Sequence, residues 1–188
     1  MARVTSIHLP HPRRPAAFPS ARGRSAKVGH RTRIATAALR PDQSALLFDG
    51  TCGLCSRLAE WATRADWRRK MVLLPSQTPG LLDVVGLTPA DIDAAAWAIT
   101  PTGAFRRGAG AVFTALDLLL PGGFPLFYAL SRLPGLRSVA DTVYAWVSAH
   151  RGRFGGTPIC TAGRPDPLDD AVRWELERRL ERAAVFGA

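Results

Sequence analysis

Short apolar runs and stretches with helical spacing alternate along the body of the chain. Residues 45–48 and 71–74 are runs of four apolar side chains, the pattern of short buried strands. Between them, over residues 53–70, apolar side chains recur at steps of four, three and four, which predicts a helix with one apolar face. That face consists of Leu54, Leu58, Trp61 and Ala65.

The next segment continues the alternation. Residues 79–96 predict two short helices, the second with Thr88 as its cap and Pro89 in its first turn. The elements predicted after them are two strands at 97–100 and 104–107 and a helix at 109–120. The order β-α-β-α-β-β-α is that of a thioredoxin-like α/β fold, with helices able to cover both faces of the sheet.

Additional C-terminal helices are predicted beyond this unit. Residues 138–150 carry Val139, Val143 and Trp146 at steps of four and three, which predicts a buried face. Glycines and prolines make residues 151–167 a predicted loop. The other two segments are a short apolar piece at 124–130 and an amphipathic helix at 169–186 through Val172, Leu176 and Leu180. We also expect the five tryptophans to lie mostly in the core.

The charge divides the chain into two parts. Residues 1–41 hold nine lysines and arginines and no acid, whereas the other 16 basic residues face 15 acids. The tail has no sustained apolar period, so we predict a basic, disordered tail at 1–41 and one folded domain at 42–188. The Arg- and Ser-rich tail also resembles an organelle transit peptide, and a start codon assigned too far upstream would give the same appearance.

The distribution of charged, apolar and cysteine residues argues against several classes of protein. The net charge of +10 belongs to the tail, so it does not indicate a specific nucleic-acid partner for the domain. The longest uncharged run of the second half, residues 118–131, is too short to span a bilayer and is broken by prolines. Three cysteines do not make a secreted disulfide framework, so we expect a soluble protein of the reducing cytoplasm, or of an organelle if the tail is a transit peptide.

Two of the cysteines stand between the first predicted strand and the first predicted helix. The sequence there is Asp49-Gly50-Thr51-Cys52-Gly53-Leu54-Cys55. Unpaired backbone N–H groups and the helix dipole stabilise a thiolate at a helix N-terminus. We therefore predict a redox pair in which Cys52 attacks and Cys55, one turn further on, resolves the mixed disulfide.

The sequence alone is consistent with two roles for Asp49. A carboxylate three residues before Cys52 could accept the proton of Cys55, directly or through water. Asp49 could equally be only the first residue of an Asp-Gly turn.

Two other interpretations of the cysteines are open. A lone Cys-x-x-Cys pair is also half of a zinc site, for which Cys160 and His150 are the candidate further ligands, although their spacing matches no familiar knuckle. The domain could also be a redox-inactive protein-interaction module that keeps the fold. Cys160 itself could form a second disulfide, act as a regulatory thiol, or have no function.

The motif Asp49-Gly50-x-Cys52-x-x-Cys55 after an apolar strand resembles the DCC family of thiol-disulfide oxidoreductases. The similarity covers residues 46–160 and includes Leu74-Pro75-Ser76-Gln77, the hairpin and helix at 97–111, the segment from Leu133 to His150-Arg151, and Cys160. The resemblance implies a thioredoxin-like fold and a dithiol site at Cys52 and Cys55, with Asp49 as the third signature residue. We therefore predict a cofactor-free thiol-disulfide oxidoreductase that acts on a disulfide- or thiol-bearing substrate.

Overall fold

A four-stranded mixed sheet lies at the centre of the part of the chain that the computed structural model describes, residues 38–122, 124–161 and 165–186. The strands are β1 (Ser44–Phe48), β2 (Met71–Pro75), β3 (Trp97–Ile99) and β4 (Phe105–Arg107). Their spatial order is β2-β1-β3-β4, with β1 parallel to β2 and antiparallel to β3, and with β3 antiparallel to β4. The four predicted strands and the predicted order of elements along the chain are confirmed.

Helices cover both faces of this sheet, as predicted. They are α1 (Gly53–Ala65), α2 (Leu81–Val85), α3 (Pro89–Ala94), α4 (Ala109–Leu119), α5 (Leu126–Leu130), α6 (Pro134–His150) and α7 (Asp170–Phe186). On one face, Leu47 and Leu74 pack with Leu81 of α2 and Leu176 of α7. On the other face, Phe48 and its neighbours pack with α1 and α4. The mixed α/β architecture is thioredoxin-like, with β1 buried between the two layers.

Local signals in the sequence account for several helix ends. Thr88 and Asp91 form a reciprocal capping box at the start of α3, and a proline occupies the first turn. The helix predicted over 53–70 ends earlier, at Ala65. The carboxylate of Asp66 accepts hydrogen bonds from the backbone N–H groups of Lys70 and Met71, which turns the chain into β2.

The buried face of α1 differs from the apolar stripe of its sequence. Leu58 and Trp61 are 54% and 52% exposed, whereas Ser56, Ala59 and Ala62 are buried. Small side chains let the helix approach the sheet closely, so the large apolar side chains lie beside the contact rather than in it. They line a cavity between α1, α4 and α6.

The prediction of a buried face on α6 is wrong. Val139, Val143 and Trp146 are 61%, 56% and 57% exposed, and neither α5 nor α6 contains a buried residue. The tryptophans are likewise not in the core: Trp61, Trp67, Trp146 and Trp174 are exposed and Trp97 is half-buried. Helices α5 and α6 lie on the outside of a core that is formed by the sheet and the other helices.

The C-terminal part confirms the face of α7, where Val172 and Leu176 are fully buried and Leu180 is half-buried. The predicted loop at 151–167 contains two 3-10 turns, Arg151–Phe154 and Ile159–Thr161, while residues 162–164 lie outside the described residues. Most of the predicted tail, residues 1–37, also lies outside them. Within the described residues, no helix is both long and apolar enough to cross a bilayer.

Candidate functional site: a dithiol at the junction of β1 and α1

Cys52 is the N-cap residue of α1. Its backbone is extended, its sulfur accepts a hydrogen bond from the backbone N–H of Cys55 at 3.3 Å, and its carbonyl accepts from Ser56 N. The sulfur thus lies at the N-terminus of α1, beside backbone N–H groups that have no partner within the helix. Cys52 and Cys55 are both partly exposed free thiols that lie close together.

Cys55 differs chemically from Cys52. Burial raises the pKa of the Cys55 thiol to about 12, and a side-chain hydrogen bond with Cys52 and the negative charge of Cys52 act in the same direction. The positive charge of Arg151 opposes them. Cys55 is therefore held as a neutral thiol beside a sulfur that caps the helix.

Asp49 is buried directly after β1 and accepts several hydrogen bonds. Its Oδ1 accepts from Thr51 N at 2.9 Å, from Thr51 Oγ1 at 2.6 Å and from Gln77 Nε2 at 3.0 Å. Burial opposes ionisation, but these bonds from Thr51 and Gln77, together with the charge of Arg151, lower the pKa of Asp49 below its usual value. The contact with Thr51 N is the Asx turn expected of an Asp-Gly sequence.

Gln77 joins β2 to the motif. Its Oε1 accepts from Gly50 N at 2.9 Å while its Nε2 donates to Asp49. One amide side chain thus fixes both the carboxylate and the backbone of the turn that carries the cysteines. Sequence reasoning did not assign this role to Gln77, although Gln77 belongs to the segment that resembles the family.

Arg151 is a second residue that sequence reasoning did not assign. It begins the 3-10 turn after α6, and its guanidinium lies 3.8 Å from Asp49 Oδ2 and 3.8 Å from Asp93 Oδ1. It is the cation whose charge favours ionisation of Cys55. The only signal for it was the His150-Arg151 pair in the family resemblance, since nothing local links residue 151 to residue 49.

Cys160 lies against the turn of the motif. Cys160 N donates to Gly50 O at 3.1 Å, and a Cβ built on Gly50 would lie 2.5 Å from the Cys160 sulfur. Burial raises the pKa of the Cys160 thiol, and the charge of Asp49 adds to this effect. Buried Ser56 holds the same segment, because its hydroxyl donates to Gly50 O and accepts from Ile159 N.

The structure does not assemble the metal site considered above. Among the described residues, no three histidine, cysteine or acidic side chains are grouped as a metal ion requires. His150 instead contacts the carbonyl of Trp146 at 2.7 Å through Nδ1.

The loop before Cys160 touches the first turn of α1. A Cβ on Gly53 would collide with the backbone of Gly156, and a Cβ on Gly156 would collide with the backbone of Gly53. Gly156 also has a φ of +121°, a region that side-chain-bearing residues rarely adopt. Both positions therefore require glycine for the loop to lie beside Cys52.

The two cysteines open onto different cavities. Cys52 lines a cavity of about 330 Å³, with a wall of mixed polarity, together with Thr51 and glycines of the 152–156 loop. Cys55 lines an apolar cavity of about 210 Å³ between α1, α4 and α6, with Leu58 and Trp61 on its wall. Asp49 and Arg151 line both cavities. The dithiol thus lies between a cavity of mixed polarity and an apolar one.

Comparison with known proteins agrees with this geometry. The family model of the DCC1-like thiol-disulfide oxidoreductases matches residues 46–157, more than half of the chain. The chain belongs to this family, which confirms the resemblance and the thioredoxin-like fold inferred from the sequence. No curated protein and no solved structure matches the chain.

Proposed function

We propose that the protein is a thiol-disulfide oxidoreductase that uses Cys52 and Cys55 as its redox couple. The observation that carries this proposal is the asymmetry of the pair. Cys52 caps a helix and lines an open cavity, whereas Cys55 packs against the apolar core and its pKa is raised to about 12. Such a pair has one thiol suited to attack and one suited to resolution.

The reaction proceeds in two exchange steps. The Cys52 thiolate attacks one sulfur of a substrate disulfide, the substrate S–S bond breaks, and one substrate thiolate leaves. Cys55 then loses its proton and attacks the Cys52 sulfur of the mixed disulfide, which releases the second substrate thiolate. The enzyme ends with a Cys52–Cys55 disulfide, and two electrons have passed to the substrate. The reverse sequence oxidises a substrate dithiol.

The second step requires that Cys55 become more acidic. Two of the causes that raise its pKa, the hydrogen bond and the charge of Cys52, disappear when Cys52 is in a mixed disulfide. Asp49, with Oδ2 facing Arg151 at 3.8 Å, is the nearby carboxylate that would receive the proton through a water molecule. Arg151 would then stabilise the developing thiolate.

The substrate in this proposal carries a disulfide or a thiol, and no cofactor takes part because the two sulfurs carry both electrons. With three cysteines and a dithiol that must be regenerated, we propose the reducing cytoplasm as the site of action.

The test is to equilibrate the purified chain in glutathione redox buffers, trap free thiols by alkylation, and identify the products by mass spectrometry. We expect a reversible Cys52–Cys55 disulfide, no turnover for Cys52→Ser, and an accumulating mixed disulfide on Cys52 for Cys55→Ser. Cys160→Ser is the matched control and should retain the reversible bond. A chain in which Cys52 and Cys55 never pair across these buffers would disprove the proposal.

A further inference from the structure

The segment from Phe124 to Trp146 exposes an unusual amount of apolar surface. Sixteen large apolar side chains are exposed among the described residues, and eight of them lie in this segment. They are Phe124, Leu126, Leu130, Leu133, Leu136, Val139, Val143 and Trp146. Single exposed apolar residues are ordinary, but a concentration of this kind marks a surface that binds a partner or a membrane.

On α6 these residues form one stripe. Leu136, Val139, Val143 and Trp146 follow one another at steps of three, four and three, so they share one side of the helix. A different side of α6 attaches it to the body: Tyr144 accepts a hydrogen bond from Ala96 N at 2.8 Å and its ring contacts Gly108. The helix is thus held in place while its apolar stripe faces outward.

The surroundings of the stripe are positively charged. Residues 121–154 contain four arginines and one aspartate, in a body that is otherwise nearly neutral. That aspartate, Asp141, is already 3.7 Å from Arg137. Arg151 pairs with Asp49 and Asp93, so among the described residues Arg132 and Arg153 carry the charge of this segment that no ion pair neutralises.

Two of the nearby arginines face a cavity without a carboxylate partner of their own. Arg106 stacks over the ring of Tyr128 at 3.6 Å, and together with Arg132 it lines a cavity of about 310 Å³ between β4, α5 and α6. Among the described residues neither guanidinium forms an ion pair. Burial lowers the pKa of Arg106, and the charge of Arg132 lowers it further. Asp141 lines the same cavity, but its ion pair is with Arg137.

We propose that the α6 stripe, together with the arginines of the Arg106–Arg132 cavity beside the same helix, docks on an anionic phospholipid surface. An apolar stripe that ends in a tryptophan, flanked by arginines, is the pattern of a helix that lies in the plane of the membrane interface. The apolar side chains would enter the headgroup boundary, and the arginines would bind lipid phosphates. Arg151 directly follows α6, so docking would also orient the dithiol site relative to the membrane.

The test is co-sedimentation of the full chain with vesicles of phosphatidylcholine alone and of phosphatidylcholine mixed with phosphatidylglycerol. We expect binding to the mixed vesicles only. The double variant Val139→Ser/Val143→Ser should bind about ten-fold more weakly or worse, because the variant lacks two apolar side chains that docking would bury. The matched control is Val185→Ser, an equally exposed valine on α7, which packs on the opposite face of the sheet; it should bind like the wild type.

The basic tail would also attract anionic vesicles. Val139→Ser/Val143→Ser changes no charge, so this variant distinguishes binding through the α6 stripe from binding through the tail. Binding through the tail alone would be unaffected by Val139→Ser/Val143→Ser, and that result would overturn the proposal. Arg106→Gln/Arg132→Gln should weaken binding to phosphatidylglycerol vesicles at least several-fold, whereas the surface control Arg64→Gln should not. Equal weakening of vesicle binding by Val185→Ser would also overturn the proposal. So would a protein that binds no vesicles and forms a dimer in light scattering, if Val139→Ser/Val143→Ser dissociates that dimer.

Discussion

The guanidinium of Arg151 lies 3.8 Å from the carboxylate of Asp49 and links the turn after α6 to the residue that follows β1. Asp49 is in turn bonded to Thr51 and Gln77, and Cys52 and Cys55 follow within six residues. The acidity of the half-buried Cys55 thiol therefore depends on a cation supplied from a distant part of the chain. This relationship provides direct tests of the proposed chemistry.

Substitution of Arg151 should slow resolution more than attack. Arg151→Gln removes the charge that favours the Cys55 thiolate, so we expect the Cys52 mixed disulfide to persist about ten-fold longer. Stopped-flow quenching with alkylation measures this lifetime. Arg153→Gln, in the same turn, is the matched control, and an equal effect of both variants would show that Arg151 has no specific role.

Asp49→Asn separates the two interpretations of this residue. An asparagine still accepts the hydrogen bonds of Thr51 and so keeps the turn, but it cannot take up a proton. We expect resolution in Asp49→Asn to slow by about 10²-fold while the free energy of unfolding changes little. If Asp49→Asn resolves the mixed disulfide at the wild-type rate, the role of Asp49 is only to stabilise the turn. Asp49→Ala should then lower the free energy of unfolding without a specific kinetic defect.

The raised pKa of Cys55 predicts a stability change in alkali. The folded state holds this thiol protonated up to about pH 12, whereas the unfolded chain releases the proton near the ordinary value of 9.0. This stabilisation is complete below pH 9 and is lost as the pH rises toward 12, at up to roughly 1.4 kcal/mol per pH unit. Urea unfolding of the reduced protein between these limits should show a steeper loss than in Cys55→Ala. Parallel curves would contradict the assignment.

The glycine contact beside Cys52 should tolerate no side chain. Gly156 has a φ of +121°, and the Cβ that Gly156→Ala adds would collide with the backbone of Gly53. We expect this substitution to lower the free energy of unfolding by about 1–3 kcal/mol and to displace the loop from Cys52. Gly152→Ala, where nothing lies within 4 Å, is the control. Denaturant unfolding and the alkylation rate of Cys52 measure the two effects. Equal stability of both variants would refute the contact.

Arg179 should be among the main stabilising polar residues. It is fully buried on α7, pairs with Glu175 at 2.8 Å, and donates to the carbonyls of Gln43 and Arg40 at 2.7 Å each. Arg179→Met leaves these two buried carbonyls without their donor, whereas Glu175 keeps its hydrogen bonds from Arg178, so we expect a loss of about 2–4 kcal/mol in the free energy of unfolding. Arg182→Met, one turn away and exposed, should cost less than about 1 kcal/mol.

The sequence alone determined the kinds of element and the place of the dithiol. Apolar runs and helical spacing are local patterns, so β1, β2 and the buried face of α7 with Val172 and Leu176 could be predicted correctly. The thiol pair could also be placed, because a helix N-cap and a residue one turn later are neighbours whatever the rest of the chain does.

Tertiary structure decided which apolar faces are buried and which distant residues complete the site. Periodicity shows that a helix has an apolar side but not what covers it, so the stripe of α6 and the pair Leu58 and Trp61 are exposed, contrary to expectation. Gln77 and Arg151 carry no local mark of their roles. They reach Asp49 only because β2 lies beside β1 and because α6 ends above the turn, and such contacts arise from the packing of the whole chain.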